Sequence, residues 1–324
     1  MLIYISQNYL VQKFTTGSMR RLTLLNLAAT ATFLILFSIT VSAQIMDKNS
    51  IAAAGAQVEK LGDGYKFTEG PVADTKGNVF FTDQPNNKII RWDAETGEFS
   101  TFSDKAGRAN GMYFDKKGNL VACSDEDNQV WSFDKKGNPT VLVKDYDGKL
   151  LNGPNDLWID PKGGIYLTDP LYERDYWKRD PKMQQDGQHV YYLLPDGKKM
   201  IRVDEKLKKP NGIIGTADGK KLYVADIGAD KTYIYDIDKD GSLSNKTLFV
   251  SKGSDGMILD EEGNLYLTGD GVTVFDKLGE KIAHFPVSKG WTANLCFAGK
   301  NRDLLFITSE TAVYGIKMRV KGVK

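Results

Sequence analysis

The sequence predicts an all-β fold, a six-bladed β-propeller of four-stranded antiparallel blades, on three observations. A strand-turn-strand unit recurs six times, its turn glycines keep a blade-like spacing, and no helix-period segment of useful length lies beyond the N-terminal region. The copies run from Glu69 to Asp83, Asn110 to Asp125, Asn155 to Asp169, Asn211 to Asp226, Asp255 to Asp270 and, degenerately, Asn294 to Glu310. The turn glycines Gly77, Gly118, Gly163, Gly219 and Gly263 are separated by 41, 45, 56 and 44 residues.

The first element, residues 1–43, reads as a signal peptide with an upstream extension. Arg20 and Arg21 precede an apolar run, Leu22 to Val41, that ends in the small-residue site Val41-Ser42-Ala43. This predicts export, periplasmic or secreted, with membrane attachment only if the leader is uncleaved. Residues 44–324 then form one propeller domain, its repeats spanning about 55 to 318. Within each unit, runs such as Val79-Phe80-Phe81, Ile165-Tyr166-Leu167 and Leu265-Tyr266-Leu267 follow a D-x-x-G-N type turn, which supplies the positive φ of a hairpin. Two further strands follow before the next unit, for example Lys88–Trp92 and Phe99–Phe102.

The chain carries 43 Lys and Arg against 42 Asp and Glu. The leader holds three of the cations and no acid, leaving the domain near −2, so no basic field exists to attract nucleic acid. The two cysteines, Cys123 and Cys296, lie in apolar strand-like runs, which predicts buried thiols rather than a disulfide scaffold.

Counting back eight residues from each turn glycine lands on Glu69, Asn110, Asn155, Asn211 and Asp255, and Asn294 opens the sixth unit in the same style. Innermost strands line a propeller's channel, so these positions are expected to converge there. A ring of carboxylates and amides is costly to desolvate unless something binds it. Two carboxylates with several amide carbonyls, and no His or Cys, make a hard-oxygen set that suits Ca²⁺ and disfavours zinc. Taken singly, each residue also reads as a turn former that satisfies a strand end.

These pieces, Glu69-Gly70-Pro71, Pro154-Asn155-Asp156 with Tyr166-Leu167-Thr168-Asp169-Pro170, Pro210-Asn211-Gly212 and Ser254-Asp255-Gly256-Met257, resemble a family of calcium-dependent lactonases. That family includes gluconolactonases and senescence marker protein (regucalcin), and more distantly the diisopropylfluorophosphatases. The resemblance implies one catalytic Ca²⁺ held by Glu69, Asn155, Asn211 and Asp255, with Asn155 also touching substrate. It further implies that Asp255 or Asp156 is the proton-transfer group. Regucalcin-like members carry an arginine two residues before the motif Asn, where this chain has Gly153, so the contact that reads substrate hydroxyls is either missing or comes from Arg108 or Arg174; Asn155, Asn110 and Arg108 are the candidate substrate-binding residues. Ile258 stands where phosphatase-type members place a further Asp, so a second buried calcium is not expected.

The expected chemistry is calcium-polarised opening of a small lactone by water, with an Asp as general base, in a chain that is a monomer and has no nucleic-acid partner. The competing readings are a non-catalytic secreted propeller that binds a ligand or protein, and a calcium-dependent phosphotriesterase-type hydrolase. Asp255 can act as base only with one oxygen free of the metal, and strand alternation points Asp156 away from the channel unless a bulge intervenes. Leu171 to His189 is long and rich in charge and aromatics, which reads as a cap over the channel or as a solvated loop. Tyr172, Trp177 and Trp291 read as site walls or as blade-packing core. His189 and His284 have no nucleophile or metal motif and read as structural. Asp236-x-Asp238-x-Asp240-Gly241 mimics an EF-hand but has Thr247 at the twelfth position, so it reads as a hairpin loop.

Overall fold

The computed structural model describes residues 45–287 and 290–323. The expected leader lies outside the described residues. The chain lays down six antiparallel four-stranded sheets in sequence order, a six-bladed β-propeller. The innermost strands are Thr68–Ala73, Ala109–Phe114, Leu157–Ile159, Pro210–Gly215, Met257–Leu259 and Thr292–Ala298, and each touches the next around a closed ring.

The turn chemistry that marked the repeats closes the inner hairpins of blades one, two, three and five. Asp74 Oδ1 accepts the amides of Lys76 (2.8 Å) and Asn78 (3.0 Å), while Gly77 N donates to Asp74 O at 3.0 Å. The same arrangement recurs at Asp115 and Asp160. Gly77 is required twice over: its φ is +87°, and an added Cβ would lie 2.2 Å from the Gly299 carbonyl carbon of the neighbouring blade.

Blade six takes three strands from the end of the chain, Thr292–Ala298, Leu304–Ser309 and Ala312–Lys317, and its outer strand, Glu59–Asp63, from the beginning. That polar segment carries no apolar alternation; its role is set by pairing, Glu59 opposite Gly315 through Asp63 opposite Ala312. Met46–Asp47 likewise adds a fifth strand to blade five. Deleting residues 1–63 should expose the Ala312–Lys317 edge, remove four cross-strand pairs there and two more at Lys281–Phe285, and take the buried Ile51 out of the core. At about 1 kcal/mol per backbone hydrogen bond, the melting temperature should fall by at least about 10 °C, measurable by calorimetry.

The cores lie between blades. Tyr166 and Tyr192 stack at 4.2 Å between centroids, and both buried hydroxyls are satisfied, by Gly241 O at 2.8 Å and Asp160 Oδ2 at 2.7 Å. Cys123 and Cys296 are buried free thiols, pushed up in pKa by burial. His189 pairs with Asp186 at 3.0 Å and His284 with Thr273 Oγ1 at 3.1 Å, both local contacts within their blades. The Asp236–Thr247 segment is the hairpin between Lys231–Ile237 and Leu243–Val250.

Candidate active site

The pairs Thr68↔Asp83, Ala109↔Ser124, Pro210↔Asp226 and Thr292↔Ser309 mark one register around the ring. The residue after each first member is therefore equivalent: Glu69, Asn110, Asn211 and Ala293. In blade three the matching residue is Asn155, whose amide donates to Thr168 O at 2.9 Å, and in blade five it is Asp255. Asn294 is thus not the sixth member of the ring expected from the sequence. It falls one place deeper, because the innermost strand of blade six, Thr292–Ala298, has seven residues where Thr68–Ala73, Ala109–Phe114 and Pro210–Gly215 have six.

The deeper tier consists of Gly70, Gly111, Asp156, Gly212, Gly256 and Asn294. Asp156, Gly256 and Asn294 each donate their amide to a threonine hydroxyl of the neighbouring strand, Thr168 (3.2 Å), Thr268 (2.8 Å) and Thr308 (3.1 Å). Register shifts at Glu69/Val72, Ala109/Met112, Pro210/Ile213 and Thr292/Asn294 put a bulge at this level of four blades. In blade three, Asn155 N donates to Thr168 O while Thr168 N donates to Asp156 O, so two residues face one. The bulge brings two consecutive positions inward, and Asp156 shares the electrostatic field of Glu69 and Asp255. The glycines make room for the two larger side chains. An added Cβ would meet Asp156 Oδ1 at 2.2 Å from Gly111 and Asn294 Oδ1 at 2.1 Å from Gly256.

Three carboxylates therefore converge. Glu69 is pushed well above the ordinary carboxylate range by burial and then by the charge of Asp255, despite the Gly70 amide at 2.7 Å on its Oε2. Asp156 is raised to about 7, chiefly by burial, with the Leu157 amide at 2.9 Å opposing, and Asp255 is raised to about 6 by burial. Asp255 Oδ2 accepts the Trp291 indole N–H at 2.6 Å. Asn211 Nδ2 donates to the Tyr172 hydroxyl at 3.0 Å, and Asn211 Oδ1 is buried without a partner.

Buried carboxylates held near neutrality and an orphaned amide oxygen are what an oxygen-liganded cation would relieve. Glu69, Asn155, Asn211 and Asp255 fit that need. Among the described residues no three of His, Cys, Asp and Glu gather tightly enough to hold a metal by themselves, so the amides are indispensable to any such site.

Residues 170–188 form an irregular strap, tied down through Asp125. Asp125 Oδ2 accepts Arg174 Nε (2.8 Å) and Tyr176 OH (2.6 Å), and its carbonyl accepts Trp177 Nε1 at 2.8 Å. Both Nη groups of Arg179 hold blade-three carbonyls, Leu151 O and Asn152 O. Tyr172 serves the site as a polar wall. Trp177 is core, 5% exposed, and Trp291 is rim, 42% exposed. Arg108 also lies on the rim, its Nη1 on Pro85 O at 2.9 Å and its guanidinium 4.4 Å from the Tyr176 ring centroid. Asn110 is buried in the first tier.

Sequence reasoning missed the Trp291–Asp255 bond and the Asp156–Asn294 tier. The first has no local signal, the partners being 36 residues apart. The second had one: Glu-Gly, Asn-Gly, Asn-Gly and Asp-Gly in four units against Asn-Asp in the third. A cavity of about 820 Å³ opens at the opposite, hairpin end and is lined by none of the ring residues. Its lining mixes apolar residues such as Val72, Trp158 and Ile258 with charged turn residues such as Asp74, Asp115 and Lys116.

Residues 67–311 match the family described as SMP-30/Gluconolactonase/LRE-like region. The chain is 27% identical to a gluconolactonase of Zymomonas mobilis, with 85% of each protein covered, and 26% identical to regucalcin of Xenopus laevis over 77% of this chain and 85% of that one. A solved gluconolactonase of Xanthomonas campestris superposes with a TM-score of 0.76 at 26% identity, covering 86% of this chain and 99% of that one.

Proposed function

We propose, for a chain that belongs to the SMP-30/gluconolactonase/LRE-like family, that it hydrolyses a small lactone at the mouth of the channel with a divalent cation, Ca²⁺ by the hardness of its ligands, as cofactor. The observation that carries this is the convergence of Glu69, Asp156 and Asp255 with the unpartnered Asn211 Oδ1 in one desolvated pocket. Glu69, Asn155, Asn211 and Asp255 would hold the cation, which when bound supplies positive charge for the oxyanion that forms as the lactone carbonyl is attacked.

The protein's own side chains account for the proton. Asp255 is the part-exposed carboxylate of the three, and its Oδ2 is oriented by the Trp291 indole, so that oxygen is kept out of the ligand set and can accept a proton from water. A base poised near neutrality typically contributes about 10²- to 10⁴-fold. Asp156, 7% exposed and one tier deeper, supports the charge of the site from below, held by the Leu157 amide. Tyr172 fixes the Asn211 amide. Arg174 lies close enough to lower the pKa of Asp255.

The test is hydrolysis of gluconolactone and dihydrocoumarin by the full chain with Ca²⁺, with Mg²⁺ and with chelator. Turnover that chelator abolishes and Ca²⁺ restores is the expected result. Calcium binding without turnover of any lactone would sink the enzymatic reading in favour of a binding protein. Turnover of phosphotriesters alone would sink the lactone.

A pH dependence follows. A carboxylate whose folded pKa is raised makes the fold bind more protons than the unfolded chain, so its contribution to stability is full at low pH and is lost as pH rises through the folded value. Between about pH 4 and 7 the cation-free protein should lose on the order of 3 kcal/mol through Asp156 and a smaller amount through Asp255. Saturating Ca²⁺ should cancel most of this, so melts with chelator should drop steeply from pH 5 to 8 while melts with Ca²⁺ stay nearly flat. Coincident curves would argue against a cation at these carboxylates.

A further inference from the structure

We infer that Arg174 is the specificity-determining residue of this site and selects lactones that carry a second, carboxylate group. The inference rests on the lactone-hydrolysing reading above. Arg174 reaches the site on the strap: its Nε is held by Asp125 Oδ2 at 2.8 Å, and its guanidinium lies 5.9 Å from the centroid of Tyr172, whose hydroxyl bonds Asn211. Its charge acts on both Tyr172 and Asp255.

The fork of Arg174 is unclaimed. Among the described residues no hydrogen bond occupies its Nη groups, whereas Arg108 spends Nη1 on Pro85 O, Arg179 spends both on Leu151 and Asn152 carbonyls, and Arg202 spends both on Asp186 and Glu205. The anion beside it is already engaged, since Asp125 Oδ2 also accepts Tyr176 OH at 2.6 Å. A second cation reinforces the field: Lys209 Nζ lies 4.5 Å from the Tyr172 ring centroid. Nor does the blade itself offer a competing side chain, because Gly153, two residues before Asn155, is backed by Asp125 Oδ1 at 3.0 Å and Trp177 at 3.2 Å from an added Cβ. A planar guanidinium fixed through Nε, with both Nη groups free along one edge, next to a second cation and a tyrosine wall, matches a carboxylate in geometry and charge better than it matches a lone hydroxyl. The acidic group sits at the strap while the lactone carbonyl faces Glu69 and Asp255, and the product is a dicarboxylate.

The experiment compares two lactones of the same ring, glucono-γ-lactone and glucaro-γ-lactone, which differ in a terminal hydroxymethyl against a carboxylate, using the full chain with Ca²⁺. Wild type should favour the acidic lactone in kcat/KM by at least about tenfold, and Arg174→Gln should erase that preference, mainly through KM, with Arg174→Lys recovering part of it. A ratio that Arg174→Gln leaves unchanged, or a wild type that favours the neutral lactone, overturns the inference. A binding arm separates this from failure of the lactonase reading. If neither lactone turns over, glucarate should still raise the melting temperature more than gluconate in wild type, and the difference should vanish in Arg174→Gln. Equal shifts from the two acids in wild type overturn it.

Discussion

Glu69→Gln and Asp255→Asn should each lower kcat/KM for lactone hydrolysis by about 10³-fold or more, while leaving the cation-free fold as stable as wild type or more so. Glu69 is 2% exposed and raised well above its ordinary range by burial and by Asp255, so its charge is a liability when no cation is present. Glutamine keeps the shape and the Gly70 contact region and removes that liability, which should raise the melting temperature in chelator. It also removes an anionic ligand, so affinity for Ca²⁺ should fall steeply. Asp255→Asn acts twice, since it deletes a ligand charge and the proposed proton acceptor. The Trp291 indole at 2.6 Å demands an acceptor at Oδ2, and the asparagine must then turn its amide nitrogen toward the position the cation needs. Asp156→Asn should cost less, about tenfold to a hundredfold, because Asp156 lies a tier below. Rates in saturating Ca²⁺, together with melts in chelator, check all three. If Asp255→Asn kept activity within about tenfold of wild type, the assignment of the base and the ligand set would both fail.

What was legible in the sequence was what local chemistry repeats. The Asp-x-x-Gly-Asn turns reveal themselves because each must solve the same hairpin, and counting from Gly77, Gly118, Gly163, Gly219 and Gly263 reaches the five ring residues without any knowledge of the fold. The sixth position has no turn glycine to count from, and Asn294, matched by residue type alone, lies one place too deep because the innermost strand of blade six is one residue longer than that of blade one. The orientation of Asp156 hinged on a bulge that depends on pairing to Thr168, a partner twelve residues away whose own spacing from the turn is ordinary. Ring closure by Glu59–Asp63 was hidden for the opposite reason: an edge strand exposed on its outer side has little apolar alternation to display. The Trp291–Asp255 and Arg174–Asp125 contacts are products of tertiary assembly, joining different blades with no shared motif.

A large loss of stability should come from a single added methyl, Gly111→Ala. Gly111 needs space rather than an unusual backbone conformation: an added Cβ would stand 2.2 Å from Asp156 Oδ1, 2.7 Å from Asp156 Cα and 2.8 Å from Asn155 O. Two of those three atoms are backbone, so no rotamer change relieves them. Blades two and three would have to part, stretching the bond from Gly111 N to Asn155 O that now measures 2.8 Å. Overpacking of a rigid core costs about 1 to 3 kcal/mol, and a backbone collision belongs at the upper end or beyond. That predicts a melting temperature lower by about 10 °C. Gly97→Ala is the comparison: its φ is +74° with nothing within 4 Å of an added Cβ, so only conformational strain of about 1 kcal/mol applies. Because the displaced blade carries Asn155 and Asp156, Gly111→Ala should also cut lactone hydrolysis by about a hundredfold even at temperatures where it is fully folded, which Gly97→Ala should not. Combining Gly111→Ala with Asp156→Gly removes the Oδ1 collision but neither backbone contact, so the double variant should recover about 1 kcal/mol of the loss and none of the activity. Full recovery of stability would mean that the glycine tier accommodates the Asp156 side chain alone; no recovery would mean that the spacing between the blades is set by backbone contact.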